Sequence, residues 1–136
     1  MFGEAVVFSN IKAPRAFFTT IKRHGALLAK GRMLGLQFDT LFTNNLYLRV
    51  ARHANEMAER LRDILLKHGI CMGVDSPTNQ QFVILTPKQK EQLMQYIAFE
   101  VWSLLPDGNI LCRFLTSWAT TNDDLLALDN ALSTSL

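Results

Sequence analysis

The stretch Ile110-Leu-Cys-Arg-Phe-Leu-Thr-Ser117 is an apolar run that contains one charged residue, Arg113. It follows a turn-forming Pro-Asp-Gly-Asn sequence, so we predict a strand that continues to Trp118. Side chains alternate between the two faces of a sheet, and Arg113 therefore shares a face with Leu111 and Leu115. An arginine in so apolar a strand requires an explanation.

Two interpretations of Arg113 are open at this point. An unpaired buried charge is too costly to keep, so the guanidinium needs an anionic partner. Its planar fork matches a carboxylate through two parallel hydrogen bonds, which indicates a binding site for such a group. Alternatively, its stem lies on the sheet and its head reaches water or a structural Asp or Glu. The spacing alone favours this second interpretation.

Helices and strands alternate around this strand. An apolar stripe with steps of three and four residues predicts a long helix from about Asn45 to His68, and Gly69 can end it. Thr86, Pro87 and Gln89 form a helix start with a capping box. The remaining predictions are strands at 70–74 and 82–85, a helix from 87 to about 105, with Leu93, Ile97, Val101 and Leu104 inward, and a last helix from Thr121.

The first part of the chain is predicted to contain a buried strand at Glu4–Phe8, a short helix at Pro14–His24 and a helix from Ala26 to Phe42. Together with the later elements, this order predicts an α/β fold. The later elements form an open sheet that helices cover on one face.

The composition of the 136 residues excludes several classes of protein. Basic and acidic residues are interspersed and the net charge is +2, so the sequence does not indicate a nucleic-acid partner. Cys71 and Cys112 lie in apolar segments and are interpreted as buried free thiols of a reducing compartment. No Cys and His residues have zinc-ligand spacing, and neither a signal peptide nor a membrane span is recognisable. We expect a cytoplasmic protein without a metal or a membrane partner.

A second candidate site is the basic cluster formed by Lys22, Arg23, His24, Lys30 and Arg32. Basic groups near helix starts can bind phosphate together with backbone amides. Such a cluster is more often a solvated face, and on the sequence alone that interpretation is preferred.

Five blocks follow one another along the chain: Phe2-Gly-Glu-Ala-Val-Val-Phe8, Ile21-Lys-Arg-His-Gly-Ala-Leu-Leu-Ala-Lys-Gly-Arg32, Arg52-His-Ala-Asn-Glu-Met-Ala58, Ser76-Pro-Thr-Asn-Gln80 and Arg113-Phe-Leu-Thr-Ser-Trp-Ala-Thr-Thr121. In this order they resemble the carboxy-terminal half of one known family, the threonine aldolases and β-eliminating lyases. These are pyridoxal-phosphate enzymes with the aspartate-aminotransferase type of fold.

The resemblance implies a lyase that cleaves a 3-hydroxy amino acid to glycine and an aldehyde, or performs β-elimination, with pyridoxal phosphate as cofactor. It implies that residues 1–42 contain the last strand and the linking helices of the large cofactor domain. Residues 43–136 would form the small carboxy-terminal domain, in which helices pack on a short, mostly antiparallel sheet. It places Arg113 at the family's substrate-carboxylate arginine. It also implies that Arg32, Arg23, Lys22 or Lys30 faces the cofactor or the substrate.

The family's Schiff-base lysine precedes the Phe-Gly-Glu-Ala block, so we expect no catalytic lysine in this chain and no stable cofactor binding by it alone. Family members are usually homodimers or homotetramers. A different hypothesis stays open, namely a non-catalytic small-domain module that pairs with a separate cofactor-domain chain.

Overall fold

The computed structural model of the chain describes residues 5–9 and 12–135. The chain divides into two compact units, residues 1–47 and residues 48–136. In the described part, no helix is long and apolar enough to cross a lipid bilayer. The elements are α1 (Phe17–Arg23), α2 (Arg32–Phe42), a 3-10 turn (Thr43–Asn45), α3 (Leu46–Lys67), β1 (Cys71–Val74), β2 (Gln80–Leu85), α4 (Pro87–Leu93), β3 (Glu100–Leu104), β4 (Ile110–Leu115) and α5 (Asn122–Ser135).

The first unit contains α1 and α2, and no strand forms among its described residues. Residues 5–8 lack regular secondary structure, so the strand predicted at Glu4–Phe8 is wrong there; Glu4 lies outside the described residues. A strand must satisfy its backbone groups through a neighbouring strand, and no described segment pairs with residues 5–8. Val6 and Val7 are accordingly exposed.

Glycines set the limits of α1 and α2. Gly25 has a φ of 68°, and its N–H donates to the Lys22 carbonyl at 3.1 Å, which ends α1 as predicted. The second helix begins at Arg32, not at Ala26 as predicted, and Gly31 is its N-cap. A glycine inside a helix costs about 1 kcal/mol relative to alanine, and starting the helix after Gly31 avoids one such cost.

The second unit is built on α3, whose predicted stripe is confirmed. The side chains it buries lie at steps of three and four: Ala54, Met57, Ala58, Leu61 and Leu65. The helix ends at Gly69, where φ is 74°, and the Ile70 N–H donates to the Leu65 carbonyl at 3.0 Å. This pattern is the Schellman motif, and it turns the chain directly into β1.

The four strands form one antiparallel sheet in the order β1-β2-β4-β3. In β2 and β4, buried residues alternate with less buried ones, so one face of the sheet lies in the core. Leucines of α3 and α5 pack on that face with Val83, Cys112 and Phe114. The mixed α/β fold with an antiparallel sheet is therefore confirmed, and the opposite face, here called the open face, carries Arg113.

Three predictions in this unit are wrong. Strand β4 ends at Leu115 and does not continue to Trp118, and Cys71 is exposed although it was predicted to be buried. The helix that starts with the capping box at Thr86 ends at Leu93, and not near Leu105 as predicted. Residues 100–104 form the edge strand β3 instead, where Val101 and Leu104 are exposed and not inward. The segment Glu-Val-Trp-Ser-Leu combines a β-branched and an aromatic residue, which favour strands, and pairing with β4 fixes it as one.

Candidate functional site

Arg113 lies in the middle of β4 on the open face of the sheet, as its alternation with Cys112 and Phe114 predicts. The residue directly opposite on β2 is Phe82, and on β3 it is Glu100. The arginine side chain is only 22% exposed. A charge this sheltered must be matched by nearby polar groups.

Three neighbours hold the guanidinium. Nη1 donates to Oε1 of Gln80 at 3.0 Å, and Nη2 forms an ion pair with a carboxylate oxygen of Glu100. The ring of Trp102 lies beneath the guanidinium, with its centroid 4.8 Å from Cζ. Nε is buried and has no hydrogen-bond partner among the described residues. The guanidinium is thus fixed in position, and its buried Nε–H is not hydrogen-bonded.

The position of Trp102 follows from an irregularity in β3. The register with β4 shifts between Val101 and Ser103, so Trp102 is an additional residue on the edge strand. Its ring makes an edge-on contact with Phe82 at 5.4 Å between centroids and also covers Arg113. Bulges of this kind commonly redirect a side chain next to a functional group.

The end of β4 is tied to α3 and to the loop before β2. Thr116 is buried; its hydroxyl donates to the Ala54 carbonyl at 2.7 Å, and Asn79 Nδ2 donates to the Thr116 carbonyl at 2.7 Å. Both residues belong to blocks of the resemblance, Arg-Phe-x-Thr and Ser-Pro-Thr-Asn. These bonds fix the strand that carries Arg113. Asn79 and Thr116 therefore have a structural role within the two blocks.

The basic cluster lies in the first unit, whereas Arg113 belongs to the second. Lys22 and Arg23 form the last turn of α1, within the predicted helix that ends at Gly25. Lys30 and Arg32 do flank Gly31, the N-cap of α2. All four side chains are exposed.

Two of the three histidines form hydrogen bonds with residues of the same unit. His53 Nε2 hydrogen-bonds to the Thr120 carbonyl at 2.8 Å, and His68 Nε2 to Asp129 at 2.6 Å, while His24 follows α1. Among residues 5–9 and 12–135, no group of His, Cys, Asp and Glu is arranged to hold a metal ion.

Sequence reasoning missed Gln80, Glu100 and Trp102 as partners of Arg113. The erroneous extension of α4 assigned Glu100 and Trp102 to a helix, which removed them from the sheet. The available signal was the aromatic and β-branched segment before the Pro-Asp-Gly-Asn turn, which is typical of the first strand of a hairpin. Glu100 is the structural acidic partner that the second interpretation of Arg113 expected.

The chain is similar in sequence and in structure to known proteins. No protein-family model matches it. Over 119 residues it is 28% identical to the low specificity L-threonine aldolase of Pseudomonas sp. (strain NCIMB 10558). This alignment covers 87% of this chain and 34% of that enzyme. The structure of Leishmania major threonine aldolase matches with a TM-score of 0.80 and 34% identity, also over 87% of this chain and 34% of the other.

The chain therefore spans about a third of the length of the curated relative that it matches. The resemblance that the five sequence blocks indicated is confirmed, both by aligned residues and by the arrangement of helices around the antiparallel sheet. By sequence and by fold, 87% of the chain is similar to the threonine aldolases.

Proposed function

We propose that this chain corresponds to the carboxy-terminal part of a pyridoxal-phosphate-dependent lyase that cleaves 3-hydroxy amino acids, and that Arg113 binds the substrate carboxylate. In this proposal, residues 1–42 end the cofactor domain and residues 43–136 form the small domain. The observation that carries it is a sheltered guanidinium on the open face of the sheet, held by Gln80 and Trp102 with Nε left unpaired.

The chemistry of Arg113 fits this role better than a purely structural one. A guanidinium offers five N–H donors in a fixed fork, and two of them can bind both oxygens of one carboxylate. Glu100 engages only Nη2. The neighbouring Nε–H points along the same edge of the guanidinium, so this edge presents the paired donors that a bidentate carboxylate requires.

The residues of the chain fit part of the cofactor. Arg23, Arg32 and Lys22 are exposed cations, which suit its phosphate group, and Arg32 lies at a helix start where backbone amides add to the attraction. When bound, pyridoxal phosphate supplies the electron sink for the cleavage. The chain's own contribution to the reaction is to bind and orient the carboxylate.

The Schiff-base lysine is proposed to lie outside this chain. Such a lysine is activated by desolvation or by a neighbouring cation. None of the six lysines is buried: five are exposed, among them Lys67, which is engaged by Asp129, and Lys90 is half-buried. We therefore propose that the chain does not catalyse the reaction alone, and that a homodimer or homotetramer in the cytoplasm is the functional form.

A chimaeric enzyme tests this proposal. We would replace the matched third of the Pseudomonas L-threonine aldolase with this chain and measure threonine cleavage. The expected result is an active enzyme in which Arg113→Lys lowers kcat/KM by about 10- to 100-fold, mainly through KM, because charge-assisted hydrogen bonds to the substrate are lost.

A folded, cofactor-loaded chimaera without threonine cleavage would contradict the lyase assignment and favour a non-catalytic module that pairs with a separate chain. An active chimaera whose kinetic constants are unchanged by Arg113→Lys would contradict the carboxylate role. Arg60→Lys is the matched control, because Arg60 lies on α3 and hydrogen-bonds to Asn122, away from the open face.

A further inference from the structure

We propose that Glu100 occupies the carboxylate position of Arg113 in the absence of substrate, and that a bound carboxylate displaces it. This rests on the proposed function, because it assumes that Arg113 binds substrate. The contact would make Glu100 an internal competitor that sets the apparent affinity of the site.

The arrangement of donors on Arg113 separates a permanent partner from an exchangeable one. Gln80 is neutral and accepts from Nη1 at 3.0 Å, on the end of the guanidinium away from Nε. Glu100 is anionic and accepts from Nη2, which shares an edge with the unpaired Nε. Only Glu100 therefore resembles a substrate carboxylate in both charge and position.

Two carboxylates cannot share this edge without a penalty. Glu100 and a substrate would each place a negative charge within hydrogen-bonding distance of one cation, and at such separations their mutual repulsion is substantial. Gln80 and Trp102 bring no charge and can stay in place. Substrate binding therefore requires that Glu100 leave.

Exposure indicates which side chain moves. The Glu100 side chain is 50% exposed and lies on the edge strand β3, whereas that of Arg113 is 22% exposed on the inner strand β4. Glu100 can turn into water at little cost, since exposed ion pairs contribute little to stability. Arg113 remains held by Gln80 and by the ring of Trp102. Arg113 is thus held in a position to bind a carboxylate, and the carboxylate of Glu100 occupies that position in the free chain.

A titration with acetate tests the competition directly. Acetate is added to the isotopically labelled chain at low ionic strength, and the shift of the Trp102 indole N–H resonance is followed by nuclear magnetic resonance. Glu100→Gln keeps the shape of the side chain and removes its charge, and Glu100→Ala removes the competing group altogether. Glu91→Gln on α4 makes the same change of net charge at an exposed glutamate away from the open face.

We expect Glu100→Gln and Glu100→Ala to bind acetate about two- to sixfold more tightly than the unaltered chain. This factor corresponds to the stability of an exposed ion pair, which acetate must break in the unaltered chain. Glu91→Gln should match the unaltered chain, and Arg113→Gln should lose the response. If acetate binds through Arg113 but with equal affinity in the Glu100 variants, the competition is overturned and the carboxylate role survives. If no variant gives an Arg113-dependent response, the carboxylate role itself is overturned.

Discussion

At the scale of single residues, the open face depends on a few close fits around Arg113. The ring of Trp102 stabilises the guanidinium by about 0.5–2 kcal/mol, the range for cation–π contacts, and also packs on Phe82. Leu111, two residues before Arg113 on β4, packs directly over Gly73 of β1. The absence of a side chain at Gly73 gives Leu111 its place on this face.

Gly73→Ala tests this fit. A Cβ at position 73 would overlap the end of the Leu111 side chain and crowd Ile84 at 3.3 Å. We expect the free energy of unfolding, measured with urea, to fall by about 1–3 kcal/mol, as for other overpacked sites. This is opposite to the usual gain when glycine in a strand is replaced.

The double variant with Leu111→Ala provides the control, because it removes the overlapping atoms. The loss caused by Gly73→Ala should then shrink to less than half. An equal loss in both backgrounds would mean that the cost comes from the backbone of β1 and not from the contact with Leu111.

At the scale of elements, the carboxy-terminal end of α3 is joined to α5 by polar contacts. Lys67 Nζ donates to both oxygens of Asp129 at 2.8 and 2.9 Å, and His68 Nε2 approaches the same carboxylate at 2.6 Å. Two hydrogen bonds lower the pKa of Asp129 below its ordinary value of 3.8; the one from Lys67 has the larger effect and the one from His68 the smaller. The two helices are thereby linked on the polar side of the apolar contact between them.

This pKa predicts a pH dependence of stability. Since Asp129 takes up a proton at lower pH in the folded chain than in the unfolded chain, its stabilising effect is complete above the unfolded pKa, about 4. It is lost as the pH falls through the lower folded value. We expect Asp129→Asn to lower the free energy of unfolding at neutral pH and to flatten its decrease below about pH 4.

Asp63→Asn is the control, because Asp63 is exposed on α3. Its acid profile in urea unfolding should follow that of the unaltered chain. An Asp129→Asn profile parallel to both would show that the contact with Lys67 and His68 does not contribute to stability.

The same scale shows what the sequence could and could not predict. Local signals were sufficient for the stripe of α3, the stop at Gly69 and the capping box of Thr86, because each depends on residues close in the chain. Strand β3 was missed because its formation depends on pairing with β4, which a helical spacing of apolar residues does not reveal. The strand predicted at 4–8 was wrong for the opposite reason, since it has no partner among the described residues.

These differences decide how much of the site was predictable. The face occupied by Arg113 follows from alternation along β4 and was confirmed. Its partners Gln80 and Glu100 lie 33 and 13 residues away in sequence, and only the register of the sheet brings them together. The sequence could therefore predict that Arg113 has an acidic partner, but not that this partner is Glu100.

At the scale of the whole molecule, the chain spans about a third of the length of the threonine aldolases to which it is similar. We propose that this third supplies the carboxylate contact, while the covalent chemistry of the cofactor depends on residues outside the chain. This division predicts that recognition of the carboxylate can be measured without the reaction.

The most direct measurement compares L-threonine with L-threoninol, which has a hydroxymethyl group in place of the carboxylate. Both are titrated into the labelled chain while the Nε–H resonance of Arg113 is followed. Because Nε has no partner in the described structure, a bound carboxylate should shift its resonance strongly. We predict a saturable shift with L-threonine and none with L-threoninol; equal responses to the two ligands, or a response to neither, would contradict the proposal that Arg113 binds the substrate carboxylate.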